Sequence, residues 1–253
     1  MMPRRSALLQ LASLAALPAA CRTPASGPTP RIPDRTLQLI AVSSPDWPST
    51  TGTLQRFARP NAASPWQPVG PPIPVSLGRH GLRPGRGLWS PTHLSSIPPK
   101  QEGDGCSPAG LFSLGTAFGT HPPPGPPLSW PWEQMSPHHA GVDDPASPHY
   151  NQIVDQRLTP KDWNSAENMI PASGVYRSGL VVHHNLDNFP SAGSCIFLHL
   201  WQHPNHPTAG CTAMSEPNLH SLLRWLSPPA HPLLLQLPGP ASASWQAVNL
   251  PLT

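Results

Sequence analysis

Hydrophobic residues occur in short runs along the chain, and proline and glycine separate most of these runs. Residues 37–42 and 51–59 have the length and composition of strands, and shorter apolar runs follow at 65–70 and 73–77. Their spacing and the turn residues between them predict a β-meander. Because proline is excluded from helix interiors and central strands, the 40 prolines among 253 residues favour a β-rich domain with long loops.

The middle of the chain alternates between loops and short ordered segments. Residues 79–89 are rich in glycine and indicate a loop or hairpin, while residues 121–137 are dense in proline and indicate a surface loop. Residues 162–169 are compatible with one or two helical turns. The polar stretch 100–105 predicts a solvated turn. Its charged residues are Lys100, Glu102 and Asp104.

The last third of the chain contains the most apolar segments. Residues 179–184, 193–201 and 232–237 predict three further strands. Ser215 is a good helix N-cap, and Pro228 ends the helix that follows it. The apolar positions at helical spacing are Leu219, Leu222, Leu223 and Leu226. The predicted fold is therefore mainly β, with one or two short helices.

The N-terminus has the three regions of a secretory signal peptide. Arg4 and Arg5 precede an apolar stretch over residues 7–20, which ends in small residues before Cys21. This stretch is shorter than the ~20 residues that a membrane-spanning helix needs. We therefore expect a signal peptide over residues 1–21 and an exported protein, in the periplasm or cell envelope.

The segment that ends at Cys21 also resembles a bacterial lipoprotein signal, in which the cysteine becomes the lipidated first residue. The resemblance implies a lipid anchor at Cys21, followed by a proline-rich tether over residues 22–36. We expect one folded domain over residues 37–240 and a C-terminal tail over residues 241–253.

Charge and cysteine content narrow the possible functions. Only 11% of residues are charged and the net charge is +3, without a cluster of Lys and Arg, so we expect no nucleic-acid partner. Beyond the signal, the cysteines are Cys106, Cys195 and Cys211. An odd number in an oxidising compartment indicates a free thiol. A Cys106–Cys195 disulfide would leave Cys211 as that thiol.

His199 and Cys211 form the candidate site. His199 lies in an apolar strand-like run, and Cys211 follows Gly210 a short loop later. A thiol is a weak nucleophile until a base or a positive field lowers its pKa, so this pair is typical of a cysteine acyltransferase or hydrolase if the two meet. Cys195 shares a strand face with His199 but lies roughly 13 Å along it, so we interpret Cys195 as structural. Backbone N–H groups at Gly210 could form an oxyanion hole.

Other interpretations remain open at this point. His199 and Cys211 are equally compatible with two core residues on adjacent strands. His199, His203, His206 and Cys211 are residue types that bind zinc, which would suit a zinc-dependent hydrolase, although no standard zinc spacing is present. An exported lipoprotein that binds the cell wall without catalysis is a third alternative.

Two motifs together resemble the L,D-transpeptidase catalytic domain family (YkuD-like). The family carries Ser/Thr-Pro-x-Gly-x-Phe/Tyr, then a histidine on an apolar strand, then Ser/Thr-His-Gly-Cys. This chain has the first motif at residues 107–112, then His199, then Thr-Ala-Gly-Cys at residues 208–211. Ala209 replaces the histidine of the motif, and Ala213 stands where many members have arginine.

The resemblance implies a β-sandwich or barrel-like domain of mixed sheets that transfers acyl groups on peptidoglycan stem peptides, or hydrolyses them. It implies Cys211 as nucleophile, His199 as base and the backbone of Gly210 and Thr212 as oxyanion donors. No cofactor is required, and we expect a monomer. The candidate substrate contacts are Thr208, His184, Tyr150 and Asn151.

The residues themselves leave the roles of two groups of these contacts undecided. Tyr150 and Asn151, with Asp144 and Ser147, either orient the substrate or form a capped turn. His183 and His184 are adjacent, and neighbouring residues of a strand point to opposite faces, so at most one of them lines the cleft.

Overall fold

The structure is a computed structural model that describes residues 31–92, 96–125 and 128–239. The predicted signal peptide, the first part of the tether up to residue 30 and the C-terminal tail lie outside these residues, as does the last position of the predicted domain, residue 240. No helix within the described ranges is long and apolar enough to cross a membrane.

The described chain is built mainly from β-strands. The strands are β1 (Gln38–Ser44), β2 (Thr51–Ala58), β3 (Gln67–Ser76), β4 (Leu82–Pro84), β5 (Ser107–Gly119), β6 (Trp132–Gln134), β7 (His139–Val142), β8 (Gln152–Asp155), β9 (Ala166–Asn168), β10 (Gly179–Val182), β11 (Phe197–Leu200), β12 (Thr212–Met214) and β13 (Leu233–Pro238). The helix α1 (Glu216–Trp225) and a 3-10 turn (Pro228–Ala230) precede β13.

Eight of the strands close into a barrel. Their order is β10-β11-β12-β3-β2-β1-β13-β5, and the pairing of β5 with β10 completes the ring. The β1–β13 and β11–β12 pairs are parallel and the other pairs of the ring are antiparallel, so the sheet is mixed. A mainly β, barrel-like fold of mixed sheets with a short helix is thus confirmed.

Side chains alternate between the two faces of each strand, and the apolar ones on the inner face form the barrel interior. In β11, Leu198 and Leu200 belong to the main core, while Phe197 belongs to a second cluster on the opposite face. β13 lies between β1 and β5 in the ring, and every residue of β13 is buried. Burial on both faces explains why 232–237 is a nearly continuous apolar run.

A separate three-stranded sheet packs outside the barrel. Its order is β8-β7-β9, all antiparallel. This arrangement corrects the expectation for residues 162–169, which do not form a helix: Ala166–Asn168 pair with β7 as β9. Met169 then contributes to the second apolar cluster, together with Phe197 and Cys211. The cluster therefore lies where the site residues are found.

The strand and helix predictions differ from the structure in a few bounds. The runs at 65–70 and 73–77 belong to one strand, β3, whose register with β2 shifts once. Ser215 and Pro228 do flank the helix, and Leu219, Leu222 and Leu223 are its buried residues. The strand expected over 193–201 is shorter, because Cys195 adopts a left-handed conformation (φ 51°) just before β11.

The three described cysteines are free and buried, so the Cys106–Cys195 pairing considered above is not formed. The Cys106 thiol donates to the carbonyl oxygen of His80 at 3.4 Å, and the Cys195 thiol donates to that of Val142 at 3.7 Å. The two sulfur atoms thus occupy different environments.

Candidate active site

Cys211 begins the short segment that becomes β12, and two hydroxyl groups hold its carbonyl oxygen. Thr208 Oγ1 donates to this oxygen at 2.6 Å, and Ser107 Oγ donates to it at 2.8 Å. The Gly210 N–H in turn donates to Thr208 Oγ1 at 3.1 Å. Thr208, a predicted substrate contact, therefore fixes the turn that carries Cys211.

The segment after Cys211 is tied to the barrel wall. Thr212 Oγ1 donates to Gln236 Oε1 at 2.8 Å, and Gln236 Nε2 donates to the carbonyl oxygen of Pro108 at 2.8 Å. With the bond from Ser107, this chain connects the 107–112 motif to the Cys211 turn through buried groups. The two motifs recognised in the sequence are thus in direct contact.

The thiol of Cys211 lies between two backbone groups of neighbouring residues. The Phe197 N–H donates to Sγ at 3.3 Å, and Sγ donates to the carbonyl oxygen of Cys195 at 3.5 Å. Only 6% of Cys211 is exposed. Burial and the Glu167 carboxylate raise the pKa of this thiol to about 12, against the lowering effect of the Phe197 N–H and of Lys100. The resting state is therefore the neutral thiol.

His199 lies on the same sheet face, one strand away. β11 and β12 are parallel, with His199 beside Ala213, so His199 and Cys211 are diagonal neighbours across the strand pair. His199 Nδ1 lies 2.8 Å from the Leu200 carbonyl oxygen, which can only accept, so Nδ1 carries the proton and Nε2 is the basic nitrogen. Burial lowers the pKa of His199 to about 4.

The two residues are close but not hydrogen-bonded. Within the part of the chain that the structure describes, no bond joins the His199 ring to the Cys211 thiol, whose proton is directed at Cys195 instead. Catalytic hydrogen bonds commonly tighten only when substrate is bound. The arrangement thus places a neutral base beside a neutral thiol, on one face of two adjacent strands.

Tyr176 covers His199, and neither family motif includes it. The two rings meet edge to face with centroids 5.3 Å apart. The Tyr176 hydroxyl donates to the carboxylate of Glu167, whose pKa is raised to about 7 by burial. Neither residue belongs to a motif with recognisable spacing, because β9 and the segment before β10 meet only in the folded chain.

Asn151 supports the loop that leads into the site. Its Oδ1 accepts the Cys195 N–H at 2.9 Å, and its Nδ2 donates to the carbonyl oxygens of His184 and Asn185 at 2.9 and 3.0 Å. Asn151 thereby holds Cys195 in its left-handed conformation, with the Cys195 carbonyl oxygen at the thiol of Cys211. It also lines two cavities.

Tyr150 is buried rather than open to a ligand. Its hydroxyl donates to the Glu102 carboxylate and accepts the Gly193 N–H at 3.1 Å. Ser194 Oγ donates to the same carboxylate at 2.7 Å. The contacts of Tyr150 are those of a residue that shapes the loop before β11.

Asp144 and Ser147 form the capped turn that was one of their two alternatives. Asp144 Oδ1 accepts the Ala146 N–H at 2.9 Å, and Ser147 Oγ donates to Asp162 at 2.6 Å. The turn leads directly to Tyr150 and Asn151.

The two adjacent histidines do occupy different environments. His184 is 1% exposed, and its ring accepts the Arg86 N–H at Nδ1 and donates from Nε2 to Ala192. Both of its nitrogen atoms thus serve the backbone. His183 is half-buried, pairs with Ser113 Oγ at 3.0 Å and lines three cavities, one of which His184 also lines.

The polar stretch 100–105 does form a turn, but two of its three charged side chains are buried rather than solvated. The side chains of Lys100 and Asp104 are 4% and 6% exposed and form an ion pair of 2.8 Å. Burial alone would raise the pKa of Asp104, but Lys100 and the N–H groups of Gln101 and Cys106 lower it below its usual value. The ion pair thus places a buried cation in the neighbourhood of Cys211.

Two cavities flank the site. One, of about 210 Å³, is lined by Cys195 and Phe197, whose backbone groups contact the Cys211 thiol. The other, of about 610 Å³, is lined by Glu167 and Ile170. The two cavities thus reach residues that contact the Cys211 thiol and the Tyr176 hydroxyl.

The four residues of the zinc alternative do not assemble. His199 and Cys211 are buried, whereas His203 is exposed and contacts His206 with ring centroids 4.6 Å apart. Across residues 31–92, 96–125 and 128–239, no group of three or more His, Cys, Asp or Glu side chains is arranged to hold a metal ion.

The domain is a closed mixed barrel in which a thiol just before one strand lies beside an imidazole on the neighbouring parallel strand. Residues 66–231 match the family model for the L,D-transpeptidase catalytic domain. Because this match covers more than half of the chain, the protein belongs to the L,D-transpeptidase catalytic domain family, as the two motifs predicted. Comparisons with curated proteins and with solved structures gave no significant match.

Proposed function

We propose that this protein is an L,D-transpeptidase that acts on peptidoglycan stem peptides through a thioester on Cys211. Membership of the family supports transpeptidase-type activity on peptidoglycan in general. The observation that carries the specific proposal is the position of the Cys211 thiol, next to His199 and in a turn held by Thr208 and Ser107.

The first half-reaction acylates the enzyme. His199 Nε2 takes the thiol proton, and Sγ attacks the carbonyl carbon of the amide between the diamino acid and D-alanine. The C–N bond breaks, the proton passes from His199 to the departing amine, and D-alanine leaves. A thioester then joins the stem peptide to Cys211.

The second half-reaction releases the enzyme. An amine of another stem peptide attacks the thioester carbonyl, gives its proton to His199, and expels the Cys211 thiolate, which is reprotonated. Water in place of the amine would give hydrolysis. No step requires a cofactor.

Backbone groups near Cys211 would stabilise the tetrahedral intermediates. The Gly210 N–H is already donated to Thr208, and the Thr212 N–H belongs to the β11–β12 ladder, so we assign the oxyanion contact to the Cys211 N–H group. The role of Gly210 is then steric. A Cβ at this position would lie 3.1 Å from the Cys106 carbonyl oxygen, which is tighter than ordinary contact.

The neutral state of both groups favours a base mechanism over a resting ion pair. Because burial lowers the pKa of His199 to about 4 and raises that of Cys211 to about 12, the proton resides on sulfur before substrate binds. Bound substrate would bring the carbonyl carbon and the imidazole to the thiol together, so that proton transfer accompanies attack.

We also propose export to the periplasm or envelope through the signal at residues 1–21, with or without a lipid anchor at Cys21. The substrate class lies outside the cytoplasm, which supports this location. The tether, the domain over 37–240 and the tail remain the proposed organisation of the chain, and a monomer remains the expected state.

The test is covalent labelling by a carbapenem, followed by intact mass. The wild type is expected to gain one adduct, and Cys211→Ala none. Cys195→Ala is the matched control, because Cys195 is a comparably buried cysteine whose hydrogen bond to the Cys211 thiol is made by its backbone carbonyl. An adduct that persists in Cys211→Ala would disprove the proposed nucleophile.

A second measurement separates transfer from hydrolysis. The protein is incubated with a disaccharide-free stem tetrapeptide, alone and with an amine acceptor, and the products are resolved by mass. We expect release of D-alanine and a cross-linked dimer. A protein that acquires the carbapenem but releases no D-alanine from stem peptide would require a different substrate.

A further inference from the structure

Lys100 is a buried lysine whose side chain crosses the site region. The residue is 6% exposed, and its Nζ lies 2.8 Å from Asp104 Oδ1 and 3.5 Å from the carbonyl oxygen of Gln101. Burying an ammonium group is costly unless it is paired, so its position demands a reason.

Two glycines show how far the lysine reaches. A Cβ added at Gly193 would lie 2.9 Å from Lys100 Cε, and a Cβ added at Gly210 would lie 3.4 Å from Lys100 Nζ. Gly193 precedes the Cys195 loop, and Gly210 directly precedes Cys211. The lysine side chain thus runs beside the loop at Gly193, and its charged end lies against the turn that carries the thiol.

Asp104 does not depend on Lys100 alone. Its carboxylate also accepts the N–H groups of Gln101 and Cys106 at 2.8 and 2.9 Å, and Arg83 lies 3.8 Å away. The carboxylate is therefore stabilised from several sides. The Lys100 charge keeps an electrostatic effect beyond the pair, since Lys100 lowers the pKa of both Cys211 and Cys106.

Other groups face the same sulfur with different signs. The Glu167 carboxylate raises the pKa of Cys211, and Tyr176, Cys195 and His199 line the thiol without a positive charge in the resting state. Among the described charged groups that act on Cys211, Lys100 is thus the one whose sign suits a thiolate and a developing oxyanion.

We propose that Lys100 is a supporting residue of the acyl-transfer site, and that its buried ammonium group stabilises negative charge at Cys211 and at the adjacent oxyanion position. The inference rests on the proposed function, in which Cys211 is the nucleophile. Lys100 forms no bond to substrate and exchanges no proton. Its contribution is the field of a fixed cation in a water-poor site, where such a charge acts most strongly.

The experiment measures how the reactivity of Cys211 depends on pH. Iodoacetamide is the probe, and peptide mass mapping assigns the modification to Cys211. In Lys100→Met/Asp104→Asn, which removes both members of the buried pair, we expect alkylation at a fixed pH to slow about tenfold, the change that one unit of thiol pKa produces. Carbapenem acylation is expected to slow in parallel.

Two further variants make the result specific. Arg35→Met removes an exposed cation outside the two cavities that flank the site and is expected to react like the wild type. Asp104→Asn keeps Lys100 and removes the opposing charge, so it is expected to react at least as fast as the wild type. It also provides a measurement if the double variant does not fold.

The outcomes distinguish a failure of the role proposed for Lys100 from a failure of the proposed function. Equal alkylation profiles for the wild type and for a folded double variant, or a slower Asp104→Asn, would overturn the role of Lys100 and leave the nucleophile untouched. A wild type whose Cys211 is never acylated by the carbapenem would overturn the proposed function, whatever the alkylation profiles show.

Discussion

Ser107 Oγ donates a hydrogen bond of 2.8 Å to the carbonyl oxygen of Cys211, across 104 positions of the sequence. The same hydroxyl accepts the Gly78 N–H at 2.9 Å. One buried oxygen thus links the first family motif, the loop after β3 and the turn that carries the thiol. The relationship explains why a serine or threonine suits this position, since it must donate and accept at once.

Ser107→Ala is expected to destabilise the fold by about 1–3 kcal/mol, because it leaves a buried N–H and a buried carbonyl without one partner each. Carbapenem acylation of Cys211 should also slow, since the turn is less well fixed. Chemical denaturation and the acylation rate measure the two effects.

The matched control is Ser64→Ala, whose hydroxyl makes an exposed bond to Asn61. We expect a change within about 0.5 kcal/mol for this variant. Equal stabilities for the two alanine variants would contradict the structural role given to Ser107.

The pKa of His199 sets the pH at which the acylation rate falls on the acidic side. Because burial lowers it to about 4, the imidazole stays neutral through weakly acidic solution. Acylation should therefore decline only as the pH approaches 4, and not near the ordinary histidine value of 6.5. The measurement is the carbapenem acylation rate as a function of pH.

Two variants accompany this profile. His199→Gln should slow acylation by about 100-fold or more, the usual contribution of general base catalysis. His121→Gln, which changes an exposed histidine, should keep the wild-type profile. An acid limb near 6.5 in the wild type would show that the base is another group or is exposed during turnover.

The thiolate form of Cys211 is disfavoured by the nearby carboxylate of Glu167 once Glu167 is ionised. Its pKa is raised to about 7 by burial, and its carboxylate raises the pKa of Cys211. Glu167→Gln should therefore increase alkylation of Cys211 by about threefold or more at a pH above 7. Little difference is expected at pH values where Glu167 is already protonated.

The same residue predicts a pH dependence of stability. The folded pKa of about 7 exceeds the ordinary value of 4.5, so the folded state retains the proton longer and the carboxyl destabilises the fold as the pH rises from 4.5 to 7. Relative to the wild type, Glu167→Gln should gain stability over this window. Glu216→Gln, on the exposed face of α1, is the control and should show no such gain.

The cysteines provide a test of the covalent structure. In the full chain carrying Cys21→Ser, a thiol reagent in denaturant should titrate three groups, because Cys106, Cys195 and Cys211 are all free. The native protein should react much more slowly, because all three are buried. Detection of a single reactive thiol would show instead that two of the three cysteines form a disulfide.

Local patterns predicted much of the barrel and the main features of the candidate site. Strand-like runs between turn residues gave β1, β2 and β13, and the leucine spacing after Ser215 gave α1. The histidine in an apolar strand and the cysteine after a glycine were recognisable because each motif is contiguous. Their adjacency in the structure comes from the parallel pairing of β11 with β12, which the segment over residues 201–211 connects.

The remaining features depend on contacts between distant segments. β9 has three residues with no distinctive alternation, and only its pairing with β7 makes it a strand. Lys100 and Asp104 look solvated in the sequence, yet backbone groups of Gln101 and Cys106 bury their ion pair. No composition rule could have foreseen that outcome.

The position of β13 has a consequence for how the domain is made. It is the last described strand, yet it lies between β1 and β5 and supplies Gln236, which joins Thr212 to Pro108. Contacts of such long sequence separation fold slowly, since much of the chain must be ordered before they form. The barrel therefore cannot close during synthesis of its earlier strands, and the reactive centre is completed only after nearly the entire domain has been translated.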